Sequence, residues 1–367
     1  MSLGTTAAAT KKGSPIRMRH VFWILWRAVL LLSVSLCLLA LLRLHRTSTA
    51  TSTAAAVDDD DQPAGPPKLA FLFLARRNLP LDFLWNSFFE NGDAGNFTVY
   101  VHSQPGFVFD ESTTRSRFFY GRQLPHSIQV GWGDPSMIAA EKLLFAEALK
   151  DPANQRFVLL SDSCVPLYNF GYIYNYLMAS PRSFVDSFVD DKEDHYHPDM
   201  SSIIPQEKWR KGSQWIALVR KHAKVIVADE VVLAVFRKFC KKLQKVHNCI
   251  PDEHYVQTLL ALKELEPELE RRPVTYTLWN YSTGKRDKKD WHPFTFTYPD
   301  ASPLKIGEIK GVDNIYHASE ERTETCRVGS STVPCFLFAR KFTQGAAAHL
   351  LSEDIVGHRA DSQASTR

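Results

Sequence analysis

From residue 68 onward, short wholly apolar runs alternate with stretches whose apolar residues recur at helical spacing. LAFLFLA (69–75) has no polar residue on either face, as a strand covered on both sides requires. The segment after it, from Leu81 through Trp85, opens a helix. FTVYVHS (97–103) is rich in β-branched and aromatic residues and predicts a second strand, and SIQVGWG (127–133) predicts a third. Residues 136–150 form an amphipathic helix, and RFVLLSDSCVPL (156–167) a fourth strand running out into a loop. Strand and helix in alternation define an α/β sheet, with ligands collecting at the carboxyl ends of its strands. Neither G-x-G-x-x-G nor G-x-x-x-x-G-K-[ST] is present, which disfavours dinucleotide enzymes and P-loop NTPases. There is no internal repeat, and the small, polar tail after Gly345 (346–367) is expected to fray.

The amino-terminal pattern differs. Residues 21–42, VFWILWRAVLLLSVSLCLLALL, are long enough to span a bilayer at roughly 1.5 Å per residue. The one charge, Arg27, lies near an end, where it can snorkel to the headgroups. Lys11, Lys12, Arg17 and Arg19 precede the span, and only Arg43 and Arg46 follow closely. This asymmetry predicts a cytoplasmic tail (1–20), a transmembrane signal anchor (21–42) and a lumenal remainder, a type II arrangement. A cleaved signal peptide is the alternative, but the apolar core exceeds a usual h-region and no clean small-x-small exit follows. Residues 43–67 read as a flexible stem ending in a proline cluster. Asp58 to Asp61 in it form a solvated acidic spacer rather than a metal site.

The chain has 367 residues, 44% hydrophobic and 12% aromatic, with a formal charge of +4. That is a globular composition, and no basic run interleaved with aromatics points to nucleic acid. Cys37 falls in the membrane span. Cys240 with Cys249, and Cys326 with Cys335, are close enough in sequence to close short loops in an oxidising compartment. Neither pair has C-x-x-C metal spacing. Cys164, in an apolar strand, reads as a buried thiol. Asn96 and Asn280 head sequons open to glycosylation.

Seven segments in order carry a resemblance: LAFLFLARRNLPL, VYVHSQP, LLSDSCVPLYN, EKWRKGSQWIALVR, CIPDEHYVQTLL, TYTLWNYSTGKRDKKDWHP and PCFLFARKF. Together they resemble the core-2/I-branching β-1,6-N-acetylglucosaminyltransferase family, particularly its plant branch, from about residue 68 to 342. The resemblance implies a GT-A type, Rossmann-like sheet with helices on both faces in a lumenal domain at 68–345. It also implies an inverting transfer from a UDP-sugar, N-acetylglucosamine by analogy with animal members, to a glycan or glycoprotein acceptor in the Golgi lumen.

Inverting transfer needs a carboxylate to accept the acceptor's hydroxyl proton, and positive charge to stabilise the departing diphosphate. Glu253, in Pro251-Asp252-Glu253-His254, aligns with the family's base, and Asp252 is then a cap or structural partner; from local sequence alone either carboxylate can cap the helix. The folded domain has no D-x-D; Ser161-Asp162-Ser163 is its nearest approach, with Asp162 at the nucleotide. Animal members of the family need no metal, so no cofactor is expected here. Lys341 aligns with the family's diphosphate lysine, and Arg322 or Arg327 supplies a second cation. Arg340 and Lys341 can equally be a solvated surface pair. Trp279 offers a ring face to an acceptor sugar, Lys208 and Arg210 can bond its hydroxyls, and His102 can contact uridine. Trp279 can equally be core, and His102 a core or loop histidine. A catalytically inactive sugar-binding or scaffolding homologue is the rival reading. A glycoside hydrolase would need two facing carboxylates and no diphosphate site.

Overall fold

The computed structural model describes residues 26–27, 31–35, 65–191, 195–242, 248–279 and 292–354. The chain divides into two units, Met1–Asp61 and Gln62–Arg367. In the first, the described residues are helical, and most of the expected membrane span lies outside them. Among the described residues no helix is long and apolar enough to cross a membrane. Cys37, Asp58 to Asp61 and Asn280 also lie outside the described residues.

In chain order, the strands that build the second unit's main sheets are β1 (Lys68–Leu74), β2 (Phe97–His102), β3 (Asn154–Ser161), β4 (Val165–Pro166), β5 (Ser183–Phe184), β6 (Ala217–Val219), β7 (Leu269–Glu270), β8 (Thr275–Thr277) and β9 (Phe338–Arg340). The central sheet has the order β2-β1-β3-β6-β5-β7. β1 runs parallel to both β2 and β3, whereas β6 is antiparallel to its two neighbours. A second sheet, β8-β9-β4, flanks it.

Helices cover both faces, as the unbroken apolar run of β1 requires. Leu69, Phe71 and Phe73 pack on one side, with α1 (Asp82–Glu90) and α3 (Phe170–Ala179). Ala70 and Leu72 pack on the other, with α2 (Ser136–Leu149), α4 (Arg220–Ala228), α5 (Val231–Phe239) and α6 (Tyr255–Leu262). Successive residues of one strand thus enter opposite cores. This mixed sheet, parallel through β2-β1-β3, fits the GT-A type expectation.

Three sequence expectations need correction. Residues 127–133 are not a strand but a loop, because Trp132 is exposed and Gly133 takes a positive φ of 65°. The loop is tied down by the Ile128 N–H, which donates to His102 Nε2 at 3.1 Å. The strand expected at 156–167 is two: β3 stops at Ser161, and β4 joins the second sheet. Beyond Gly345 the chain does not fray at once. Thr343 caps α7 (Gln344–Ser352), whose Ala346, Ala347 and Leu350 are buried. Residues 355–367 lie outside the described residues. Cys240–Cys249 and Cys326–Cys335 are both disulfide-bonded, with Cα atoms 5.1 and 5.2 Å apart, and Cys164 is a buried free thiol.

Candidate active site

Parallel pairing brings the carboxyl ends of β1, β2 and β3 to one edge, where Leu74 lies opposite both His102 and Ser161. Just past that edge, Arg76 Nε donates to Asp162 Oδ2 at 2.9 Å. β9 ends beside them, since the Phe342 N–H donates to the Ser163 carbonyl at 3.0 Å. Lys341 is therefore delivered to the same edge. Burial pushes its ammonium below the usual lysine range, repulsion from Arg340 and Arg76 adds to this, and Asp162 opposes it. His292 is lowered likewise, by burial and then by Lys341 and Arg340. Arg340 and Lys341 are thus no solvated surface pair. Three cations surround one carboxylate, a local field that draws anions.

The second half of the site is the short 3-10 turn Pro251–Glu253, which leads into α6. Proline suits the first position of such a turn, where an N–H is not needed. Glu253 Oε2 lies 3.2 Å from Lys211 Nζ, with both side chains about a quarter exposed (28% and 25%). The Glu253 carbonyl accepts the Gly212 N–H at 2.9 Å. A Cβ at Gly212 would fall 1.6 Å from the Asp186 carbonyl oxygen, so only glycine permits this approach.

Asp252 does not occupy a cap position: Ile250 caps the turn and His254 caps α6, neither through its side chain. Its surface is only partly covered, yet Oδ1 is buried without a partner. Burial, then repulsion from Glu253, pushes its carboxyl up to about 7. Beneath it lies Glu141 of α2, which accepts from Gln214 Nε2 at 2.6 Å. Burial, then Asp252, raises Glu141 well above the carboxylate range. Asp252 and Glu141 are thus acids held back from ionising, whereas Glu253 has a cation beside it.

Other expected site residues stand further from this chemistry. His102 is buried, and burial lowers it to about 4, so it is a neutral acceptor for the Ile128 amide. Lys208 pairs with Glu264 at 2.6 Å, and Arg210 with Glu266 at 2.8 Å. Arg322 is held between Glu320 and Glu324, while Arg327 is exposed on a short hairpin. Trp279 is 37% exposed, open enough to meet a ligand. Asn96 sits half-exposed at the end of a 3-10 turn.

Among the described residues one group has the atoms for a metal, Asp190 with His195 and His254. Hydrogen bonds already use Asp190 Oδ2, His195 Nδ1 and His254 Nδ1, while among the described residues His254 Nε2 has no partner. Asp190 Oδ2 accepts from Trp209 Nε1 at 3.1 Å and lies 2.9 Å from His195 Nδ1, and His254 Nδ1 donates to the Arg210 carbonyl at 2.9 Å. That set fits a polar network supporting the Glu253 turn better than a cation cage. Sequence reasoning passed over Lys211 and Arg76. Both are ordinary surface cations in one dimension, and only tertiary pairing distinguishes them.

A sheet whose carboxyl edge gathers cations beside a carboxylate-bearing turn can hold an anionic ligand next to a proton acceptor. The Core-2/I-Branching enzyme family profile matches residues 69–310. The chain is also 53% identical over 312 residues to Glycosyltransferase BC10 of Oryza sativa subsp. japonica, covering 80% of this chain and 78% of that protein. The chain belongs to the core-2/I-branching family of glycosyltransferases, with its similarity extending into the plant branch.

Proposed function

We propose that the protein is an inverting glycosyltransferase that moves N-acetylglucosamine from a UDP-sugar to a glycan hydroxyl, with Glu253 as the general base and Lys341 at the diphosphate. The observation that carries this reading is the pairing of Glu253 with Lys211, beside the Arg76, Arg340 and Lys341 cluster. In the reaction the acceptor oxygen bonds to the anomeric carbon from the face opposite the leaving group. The bond from that carbon to the β-phosphate oxygen breaks, its electron pair stays on the phosphate, and the acceptor proton passes to Glu253. The growing charge on the diphosphate meets the basic cluster, which supports a mechanism without a metal in a domain that lacks D-x-D.

The same reading places the enzyme in the Golgi membrane, anchored by residues 21–42 with the catalytic domain in the lumen. The charge asymmetry around that segment supports the orientation, and two disulfides suit an oxidising compartment. A donor panel of UDP-sugars, assayed on the full-length protein in detergent, tests the proposal. Transfer or slow donor hydrolysis selective for UDP-N-acetylglucosamine is expected. No turnover of any UDP-sugar would leave the inactive-homologue reading instead.

A further inference from the structure

Glu253 is held by a segment that its own neighbour, His254, holds in turn. Residues 209–212 run along the start of α6 and bond to it through their backbone. The Gly212 N–H donates to the Glu253 carbonyl at 2.9 Å, and the Arg210 N–H donates to Thr258 Oγ1 at 3.1 Å. His254 Nδ1 donates to the Arg210 carbonyl at 2.9 Å. Lys211 stands between these contacts, with its Nζ 3.2 Å from Glu253 Oε2. Arg210 and Lys211 also pair with Val189 and Phe188 in a short antiparallel ribbon.

His254 is fully buried and stacks on Trp209, with ring centroids 4.5 Å apart and planes 17° from parallel. Trp209 stacks in turn on Phe236 of α5 and donates its Nε1–H to Asp190 Oδ2 at 3.1 Å. Asp190 Oδ2 is 3.8 Å from His254 Nδ1, beyond hydrogen-bond reach, so the Arg210 carbonyl takes that donor. Burial, then the charge of Lys211, lowers the imidazole to about 3, so the ring is neutral with its one N–H at Nδ1. Nε2 is then an acceptor, and among the described residues it is buried without a partner. A phenyl ring would fill the same stack and bury no unused polar atom. Histidine therefore carries a local cost that the stack does not require, and such costs gather at functional sites. What it adds to the stack is the Nδ1–H to Arg210.

We infer that His254 is a positioning residue for the base: its Nδ1–H docks the Arg210 peptide on α6 and so sets Lys211 and Gly212 against Glu253. This rests on the reading of Glu253 as the base of a UDP-sugar transferase. His254 exchanges no proton in this role, and the acceptor's proton still passes to Glu253. Releasing the Arg210 carbonyl frees the segment to shift, and Glu253 then loses a side-chain and a backbone contact together. A misplaced base lowers turnover. Arg76 and Lys341, at the diphosphate, follow β1 and β9 and stand apart from this segment in the fold.

The test is steady-state release of UDP from UDP-N-acetylglucosamine by the full-length protein in detergent, read beside UDP affinity and the thermal midpoint. His254→Phe keeps the stack on Trp209 and removes the N–H. Its kcat should fall about 10- to 100-fold, with UDP affinity and midpoint near wild type. His254→Asn keeps an N–H close to Nδ1 and loses the stack, so its midpoint should drop while kcat stays within about threefold of wild type. Activity and stability thus rank the two variants in opposite orders. If kcat instead follows the midpoint, with H254F active and H254N impaired, His254 only packs and the inference is wrong. H254F at wild-type kcat overturns it whatever H254N does. If H254F does not fold, H254N decides alone: kcat within its expected range upholds the donor's role, and a greater loss in folded protein overturns it. If wild type releases no UDP, the transferase reading fails and the inference with it.

Discussion

Replacing Asp252 with asparagine should flatten the pH dependence of stability, because this carboxyl is forced to keep its proton by the fold. Its folded value is about 7, against an ordinary value of 3.8. Below the ordinary value both folded and unfolded chains hold the proton, and the folded state carries no penalty. As pH rises from about 4, the unfolded chain releases the proton freely while the folded chain does not. Stability is therefore lost progressively until the pH passes the folded value, and then levels off. A shift of about three units sets a ceiling of about 4 kcal/mol, and partial contact with water should bring this to about 2 kcal/mol. Urea unfolding with the disulfides intact, at pH 5 and pH 8, reads the difference. Between pH 5 and pH 8, Asp252→Asn should gain on wild type by about 1.3 kcal/mol, the two thirds of the loss that falls in that window. Asp186, which burial also pushes up to about 7, stays in both proteins and leaves a residual slope in each. Parallel slopes in the two proteins would refute the reasoning, since Asp252 would then ionise alike folded and unfolded.

Three further outcomes follow from the site and the sequence. Glu253→Gln keeps size and polarity but cannot accept a proton, so transfer should fall by about 10²–10⁴-fold with UDP binding little changed; near wild-type turnover would move the base elsewhere. Lys341→Ala should weaken UDP binding by roughly 2–5 kcal/mol in a folded protein, and turnover should survive a chelator. Complete inhibition by chelator, reversed by manganese, would show a metal at the diphosphate. In sealed microsomes, protease should remove only the short amino-terminal tail, and digestion of the large domain would reverse the proposed topology.

The legible parts of this sequence are those whose meaning is local. β1 could be read because every residue of LAFLFLA is apolar, a pattern left only by burial on both faces. The disulfides could be read because the partners of each pair are nine positions apart. Residues 127–133 misled because Ile128, Val130 and Trp132 alternate as a strand would. The alternation marks no buried face here, since Trp132 points to solvent with Lys242 Nζ 5.0 Å from its ring centroid. The tail misled for the opposite reason. Its alanines look like filler, but small side chains are what let α7 lie close to the turn Tyr298–Ala301, where His349 stacks on Tyr298 at 4.2 Å.

The same division runs through the site. Glu253 and Lys341 were both named from family motifs, since proline and two carboxylates announce a helical turn without telling a base from a cap. What Glu253 and Lys341 do there depends on residues far away in the chain, which no local pattern reveals. Lys211 reaches Glu253 from a strand that Gly212 lets approach within a backbone hydrogen bond. Arg340 and Lys341 are sequence neighbours of the same charge, equal by any local measure. Trp215 supports one of them, and Asp162 is occupied by Arg76 rather than shared. A cation's function is set by whether the fold already satisfies it. The sequence records the charge, and only the packed structure shows which charges are left unpaired.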